Sequence, residues 1–160
     1  MSSLGMVEFY FAYGSNMNAV VLAHRLGRAD PQSFRRRRAL LRDHALVFNK
    51  MSSKDAAVGY GNVTAAAGHC VEGVLNELTS EELARLDAIE LVPHHYVRSE
   101  LPVHDCLTGM TATAHVYTAH PAWVRPALAP LRAYVDRLLG AADLLSADYV
   151  APLRAVQCRD

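Results

Sequence analysis

The sequence of 160 residues lacks an excess of charge and lacks a long apolar run. Lys plus Arg and Asp plus Glu number 16 each, a balance that argues against general binding to nucleic acid or to a membrane surface. No stretch approaches the ~18 consecutive apolar residues that a membrane span needs. The N-terminus has no charged region followed by an apolar core, so no secretory signal is expected.

Cysteine is scarce, and its spacing argues against a disulfide framework. Cys70, Cys106 and Cys158 form no CxxC pair and cannot all pair with one another, which suits a reducing cytoplasm. The histidines, including the adjacent His94 and His95, lack the spacing of a zinc site with nearby cysteines. The sequence therefore predicts no metal site and no cofactor.

The composition, 51% hydrophobic and 20% charged, is typical of a compact soluble fold. Strands are predicted at 7–13, 40–48, 62–67, 69–78, 96–103 and 110–118, and helices at 17–27, 80–90, 131–140 and after Ser146. The predicted strands cluster in the middle of the sequence, and they do not alternate regularly with helices. We therefore expect one α+β domain over residues 1–160, with a curved, mostly antiparallel sheet and a flexible lead-in at residues 1–6.

The run Arg35-Arg36-Arg37-Arg38 has two interpretations. Four consecutive arginines are typical of a nucleic-acid or phosphate patch. The other interpretation is a solvated loop or the exposed edge of the following strand, and the neutral overall charge and the absence of interleaved aromatic residues favour it.

A glycine turn follows the first predicted strand. The apolar run from Val7 to Tyr13 breaks at Gly14, and Ser15 and Asn16 are both good N-caps for a helix that ends at Gly27. Such a turn points backbone N–H groups at the positive end of a helix dipole, where a carboxylate or an oxyanion binds well. Many strand-to-helix turns of this composition bind nothing, so both interpretations stay open.

Glu90 occupies an unusual position on the second predicted helix. Thr79 and Glu82 form a capping box at its start, and Leu83, Leu86 and Glu90 then share one face. A carboxyl group on the apolar face would have a raised pKa, as a general base and acid requires. Alternatively the helix ends one residue early, Glu90 turns to water and Ile89 supplies the apolar contact.

Several motifs together resemble the γ-glutamylcyclotransferase family. They follow the family's order along most of the chain and comprise Tyr13-Gly14-Ser15-Asn16, Glu72-Gly73-Val74-Leu75, Leu83-x-x-Leu86-Asp87-x-x-Glu90, Val92-Pro93-x-x-Tyr96-x-Arg98, and Tyr134 with Gly140. The resemblance implies a small β-barrel with helices packed outside. It also implies an intramolecular aminolysis that releases 5-oxoproline and a free amine.

The resemblance also implies roles for particular residues. Glu90 matches the catalytic acid/base, and residues Tyr13, Gly14, Ser15 and Asn16 match the loop that binds the carboxylate and oxyanion. Tyr96 and Tyr134 match positions that line the substrate pocket, although core tyrosines are an equal alternative. The family usually has glycine after the acidic residue, whereas this chain has Leu91.

The implied partner is a small γ-glutamyl amine or amino acid, bound by a monomer or homodimer. The Tyr-Gly-Ser-Asn form looks less like the glutathione-specific relatives and more like members that act on γ-glutamyl amino acids or on γ-glutamylated metabolites such as antibiotics. The loops at 49–61 and 119–126 are expected to build the pocket for the leaving amine, whose identity their residues do not encode. Two alternatives use the same pocket: a module that binds γ-glutamyl or similar carboxylate ligands without turnover, and an amide hydrolase in which water is the nucleophile.

Overall fold

The computed structural model describes residues 6–160, so the expected lead-in lies outside this range except for Met6. Within this range the strands are β1 (Glu8–Ala12), β2 (Arg36–Met51), β3 (Gly59–Leu78), β4 (Tyr96–Asp105) and β5 (Thr111–Ala119). The α-helices are α1 (Ala19–Leu26), α2 (Ser80–Ile89), α3 (Arg132–Leu139) and α4 (Ala147–Arg154). None of these helices is long and apolar enough to cross a bilayer.

The five strands form a closed barrel in the order β1-β3-β2-β4-β5. Four of the strand pairs are antiparallel, and the barrel closes through a parallel contact between β1 and β5, where Tyr10 is paired with His115. Closure joins β1 and β5, which would otherwise be the two edge strands of the sheet. The predicted fold class, an α+β barrel-like sheet that is mostly antiparallel, is confirmed.

The two longest strands bend together at a bulge. The predicted interruption at Gly68 is wrong, because β3 runs through it without a break. Gly68 has a φ of 81° and its N–H donates to Oδ1 of Asp43 at 3.0 Å, while Asp43 itself has a φ of 59°. The register of β2 against β3 shifts beside Asp43. Gly68 therefore bends the ribbon and does not end it.

Arg36, Arg37 and Arg38 begin β2, so the position at the start of the following strand is confirmed and the loop is wrong for these three residues, which are half-buried and not exposed. Arg37 forms ion pairs with Asp105, at 2.8 Å, and with Glu77. Nη2 of Arg36 donates to the backbone oxygen of Met17 at 2.8 Å. These guanidinium groups are used to join β2 to its neighbours.

Two apolar cores hold the barrel and the helices. One fills the barrel and includes Phe11, Leu41, Val71, Leu75, Val103 and Val116. The other packs the helices outside it and includes Leu22, Leu26, Leu86, Val135 and Leu138. Gly73 packs against Phe11 of the first core. A Cβ atom on Gly73 would come within 2.6 Å of the Phe11 ring, so the lack of a side chain allows this close packing.

Candidate active site

A cavity of about 280 Å³ lies where the barrel meets α1, α2 and α3. All seven residues that the sequence singled out line this one cavity, and they are Tyr13, Gly14, Ser15, Asn16, Glu90, Tyr96 and Tyr134. They come from the turn after β1, the C-cap of α2, the start of β4, and α3. Its size suits a small ligand.

The turn after β1 is tighter than the sequence predicted. Residues Ser15–Met17 form a 3₁₀ turn, and α1 begins only at Ala19. Asn18 caps α1, because its Oδ1 accepts from the backbone N–H groups of Val20 and Val21 at 3.0 and 3.3 Å. The prediction that Ser15 or Asn16 caps this helix is therefore wrong. The extra turn leaves both side chains free to make other contacts.

The turn presents unused backbone donors. Within residues 6–160, the N–H groups of Gly14, Ser15 and Asn16 donate no hydrogen bond. A Cβ atom on Gly14 would lie 2.9 Å from Oη of Tyr134, so only glycine fits there without displacing the tyrosine. The backbone is thus directly accessible to a ligand in the cavity.

Asn16 connects the turn to Glu90. Its Nδ2 donates to Oε1 of Glu90 at 3.4 Å and to Oη of Tyr10 at 3.0 Å. Its Oδ1 accepts from Nη1 of Arg25 at 2.6 Å, and the same Nη1 donates to Oγ of Ser15 at 3.1 Å. A carboxylate, an amide and a guanidinium therefore form one network at the turn.

Glu90 faces the cavity for a reason that helix periodicity alone does not give. Helix α2 ends at Ile89, one residue before the predicted end, and Glu90 is its C-cap. Glu90 is half-buried, whereas Ile89 is 41% exposed, so the alternative in which Ile89 takes the buried position is wrong. Leu91 then adopts a φ of 54°, a left-handed conformation that favours glycine. This turn lets Glu90 point inward.

Burial dominates the electrostatics of the cavity. It raises the pKa of Glu90, while Arg25, the hydrogen bond from Asn16 and Lys50 oppose this shift. Burial also raises the pKa of the tyrosines that surround it, which are Tyr10, Tyr13, Tyr96 and Tyr134. These phenols therefore stay neutral at physiological pH. Among the described residues that line the cavity, Glu90 is the one carboxylate.

Gly61 lines the cavity as part of the segment 49–61 that the sequence placed at the pocket, although no sequence signal marked this residue itself. Its N–H donates to Oη of Tyr134 at 2.9 Å, and its carbonyl oxygen accepts from Oη of Tyr96 at 3.0 Å. The two predicted tyrosines are thus held by a single glycine of β3. Tyr13 differs, since its hydroxyl donates to the backbone oxygen of Tyr117 and only its ring faces the cavity.

Lys50 is a second residue of the segment 49–61 that no sequence signal marked individually. It lies in the segment predicted as a loop, but β2 extends to Met51 and carries the Lys50 side chain into the cavity wall. Lys50 is 4% exposed. No sequence pattern marks it, because a lone lysine after an apolar strand is usually solvated. Across residues 6–160, no three His, Cys, Asp or Glu side chains cluster in a way that could hold a metal ion.

Comparisons with known proteins agree with this architecture. The family model described as γ-glutamyl cyclotransferase, AIG2-like, matches residues 10–135. The chain belongs to this family. A comparison with curated proteins finds no significant match.

Solved structures give the same result for the fold. The chain is similar to a γ-glutamyl cyclotransferase, with 25% identity, 96% of this chain and 90% of that one covered, and a TM-score of 0.82. It is similar to an uncharacterised protein from Homo sapiens, with 26% identity, the same coverage of 96% and 90%, and a TM-score of 0.81. A glutathione-specific relative from yeast shares the fold alone, at 13% identity over 93% of this chain and 94% of that one, with a TM-score of 0.62.

Proposed function

We propose that the protein is a γ-glutamylcyclotransferase that acts on a small γ-glutamyl amide. The α-amine of the glutamyl group attacks its own γ-carbonyl carbon, and a five-membered ring closes as the new C–N bond forms. The bond to the leaving amine then breaks, and 5-oxoproline and a free amine are released. One observation carries this proposal: Glu90, with its raised pKa, lies 3.4 Å from Asn16 of a turn with unused N–H donors.

In this proposal Glu90 moves the proton. It takes one proton from the α-ammonium group and gives it to the nitrogen of the leaving amine. The second proton, which the attacking nitrogen loses as it becomes the lactam N–H, also ends on the leaving amine, which departs as an ammonium group, so Glu90 is a carboxylate again at the end. Burial suits Glu90 to both steps. It raises the pKa of the carboxyl group toward neutral pH, where the group can both accept and donate a proton.

The turn supplies the positive side of the site. The N–H groups of Gly14, Ser15 and Asn16 would stabilise the tetrahedral oxyanion and bind the α-carboxylate, as backbone donors do in other acyl-transfer sites. Arg25 is held beside them by Ser15 and Asn16, and it adds a charge that attracts the α-carboxylate. Losing one such donor typically raises the barrier by about 3 kcal/mol.

The remaining predicted residues shape the chamber. Tyr96 and Tyr134 fix Gly61, and we assign both to substrate binding together with the ring of Tyr13. The proposed reaction calls on no cofactor, because the nucleophile is tethered to the carbonyl at a high effective concentration. Since the cavity draws on residues from Tyr10 to Arg137, we propose that 1–160 act as one domain.

The experiment is an assay of the purified protein with γ-glutamyl-alanine. The proposal expects alanine and 5-oxoproline in equal amounts, and no release of alanine when the α-amine is acetylated. Release of alanine and N-acetylglutamate from the acetylated substrate would favour the hydrolase. Binding by calorimetry without product would favour the binding module.

A further inference from the structure

Lys50 is a buried cation without a carboxylate partner. It is 4% exposed, and no carboxylate oxygen of residues 6–160 lies within 4.0 Å of its Nζ. Its hydrogen bond is to Nδ1 of His95, at 2.7 Å. An ammonium group has three donors, and burying a charge without a partner is costly. The side chain is therefore prepared for an anion that the protein itself does not supply.

Aromatic rings surround this ammonium group. The ring centroids of Trp123, Tyr96 and Tyr60 lie 4.6, 5.6 and 5.8 Å from Nζ, and His95 stacks on Trp123 at 3.9 Å. Cation–π contacts make burial of the charge tolerable, yet they do not accept hydrogen bonds along the N–H directions as an oxygen does. The rings also exclude water, which strengthens any contact with an anion.

The cavity has more positively charged side chains than the single carboxylate of a γ-glutamyl group needs for binding. Arg25, Lys50 and Arg137 line it against the single carboxylate of Glu90. A γ-glutamyl group carries one carboxylate and one ammonium, and in the proposed function Arg25 and the turn receive that carboxylate. Lys50 belongs to another part of the wall, formed by the end of β2 and the starts of β3 and β4. It remains for a second anion.

We propose that Lys50 binds a carboxylate of the leaving amine, so that the preferred substrates are γ-glutamyl amino acids or peptides. This inference rests on the proposed function. The substrate carboxylate would take the free N–H groups of Lys50 in a charge-assisted hydrogen bond. A neutral leaving amine leaves the cation unpaired, and a polyamine brings a like charge to it, so both are disfavoured.

The test compares substrates that differ in one charge. γ-Glutamyl-alanine and γ-glutamyl-alaninamide have nearly the same shape, and γ-glutamyl-putrescine carries a positive charge. With release of 5-oxoproline as the readout, we expect kcat/KM of the unaltered protein to be at least about tenfold higher for the acid than for the amide, which corresponds to ~1.4 kcal/mol. The putrescine derivative is expected to be the poorest of the three.

Two variants assign this preference to Lys50. Lys50→Met keeps the length of the side chain and removes its charge, and it should bring the acid-to-amide ratio close to one. Lys54→Met is the matched control, because Lys54 is exposed and lies outside the residues that line the cavity, and it should keep the ratio. Thermal unfolding of both variants checks the fold, while the comparison of substrates on the unaltered protein needs no variant.

Several outcomes would overturn the inference. Equal kcat/KM for acid and amide, or a preference for putrescine, contradicts it directly. An equal loss on acid and amide in Lys50→Met, with a shifted pH profile, means that Lys50 acts only on the charge of Glu90. If the unaltered protein turns over none of the three substrates, the proposed function fails, and calorimetry then decides the Lys50 site separately: equal affinity for acid and amide refutes it.

Discussion

Replacing Glu90 by glutamine keeps the shape of the side chain and removes its ability to carry a proton. General acid–base catalysis typically contributes a factor of about 10²–10⁴, which is roughly 3 to 5 kcal/mol of the barrier. We expect a loss of this size in kcat for Glu90→Gln, because no other carboxylate among the described residues lines the cavity. The tethered nucleophile and the N–H donors of the turn would account for the residual rate.

The same substitution should stabilise the fold at neutral pH. Since burial raises the pKa of Glu90 in the folded state, the folded protein keeps a proton over a pH range in which the unfolded chain has already lost it. The free energy of unfolding therefore falls as pH rises through the range between the ordinary and the raised pKa. Glutamine removes this penalty. Glu90→Gln should be more stable than the unaltered protein at pH 7, and the difference should vanish below about pH 4.

Urea unfolding at both pH values, with kcat measured in parallel, tests these two effects together. Glu81→Gln is the matched control, since Glu81 is an exposed residue in the first turn of α2. It should keep full activity and lose at most about 0.3–1 kcal/mol of stability through the helix dipole. Full release of 5-oxoproline by Glu90→Gln would refute its catalytic role, and lower stability at pH 7 would refute the burial argument.

Three further substitutions test neighbouring parts of the site. Gly14→Val places a Cβ 2.9 Å from Oη of Tyr134 and should lower kcat/KM at least about tenfold while the melting temperature changes little; equal damage to both would make Gly14 structural. Arg25→Met removes a charge that opposes the raised pKa of Glu90, so the acidic limb of the pH–rate profile should move to higher pH, and an unmoved limb contradicts the network. Leu91→Gly relieves a left-handed conformation that costs about 1–2 kcal/mol. The greater backbone freedom of glycine in the unfolded chain offsets ~0.5–1 kcal/mol of this, so urea unfolding should show a net gain in the free energy of unfolding.

Features that depend on a few consecutive residues could be predicted from the sequence. The capping box of Thr79 and Glu82 starts α2, and Ser146 caps α4, as predicted. Gly27 ends α1 with a φ of 71°. The residues Tyr13 to Asn16 were assigned to the same site as Glu90 through family motifs, and the two lie together. The residues that cap a helix contact it within a few positions, so their pattern is visible in a short stretch of sequence. Residues 13–16 and Glu90 are far apart in the sequence, but each lies in a family motif.

Features that depend on distant contacts could not be predicted in this way. Lys50 reaches its place because His95, 45 positions away, and Trp123 meet it across the end of the barrel. Gly61 depends on Tyr134, 73 positions away. Neither residue lies in a periodic pattern or next to a motif. The capping error at Ser15 and Asn16 has another cause: a short 3₁₀ turn precedes α1, as is frequent at helix N-termini, and the cap is therefore Asn18.

Closure of the barrel between β1 and β5 has a consequence for biosynthesis. The strand that leads into the turn at residues 13–16 is made more than a hundred residues before its partner β5 ends, and Oη of Tyr13 bonds to a carbonyl 104 positions along. Contacts of such long range form late in folding, because the loop between them must first be ordered. A nascent chain therefore displays residues 13–16 long before it has a pocket, and the cavity can form only after the residues of α3 have left the ribosome.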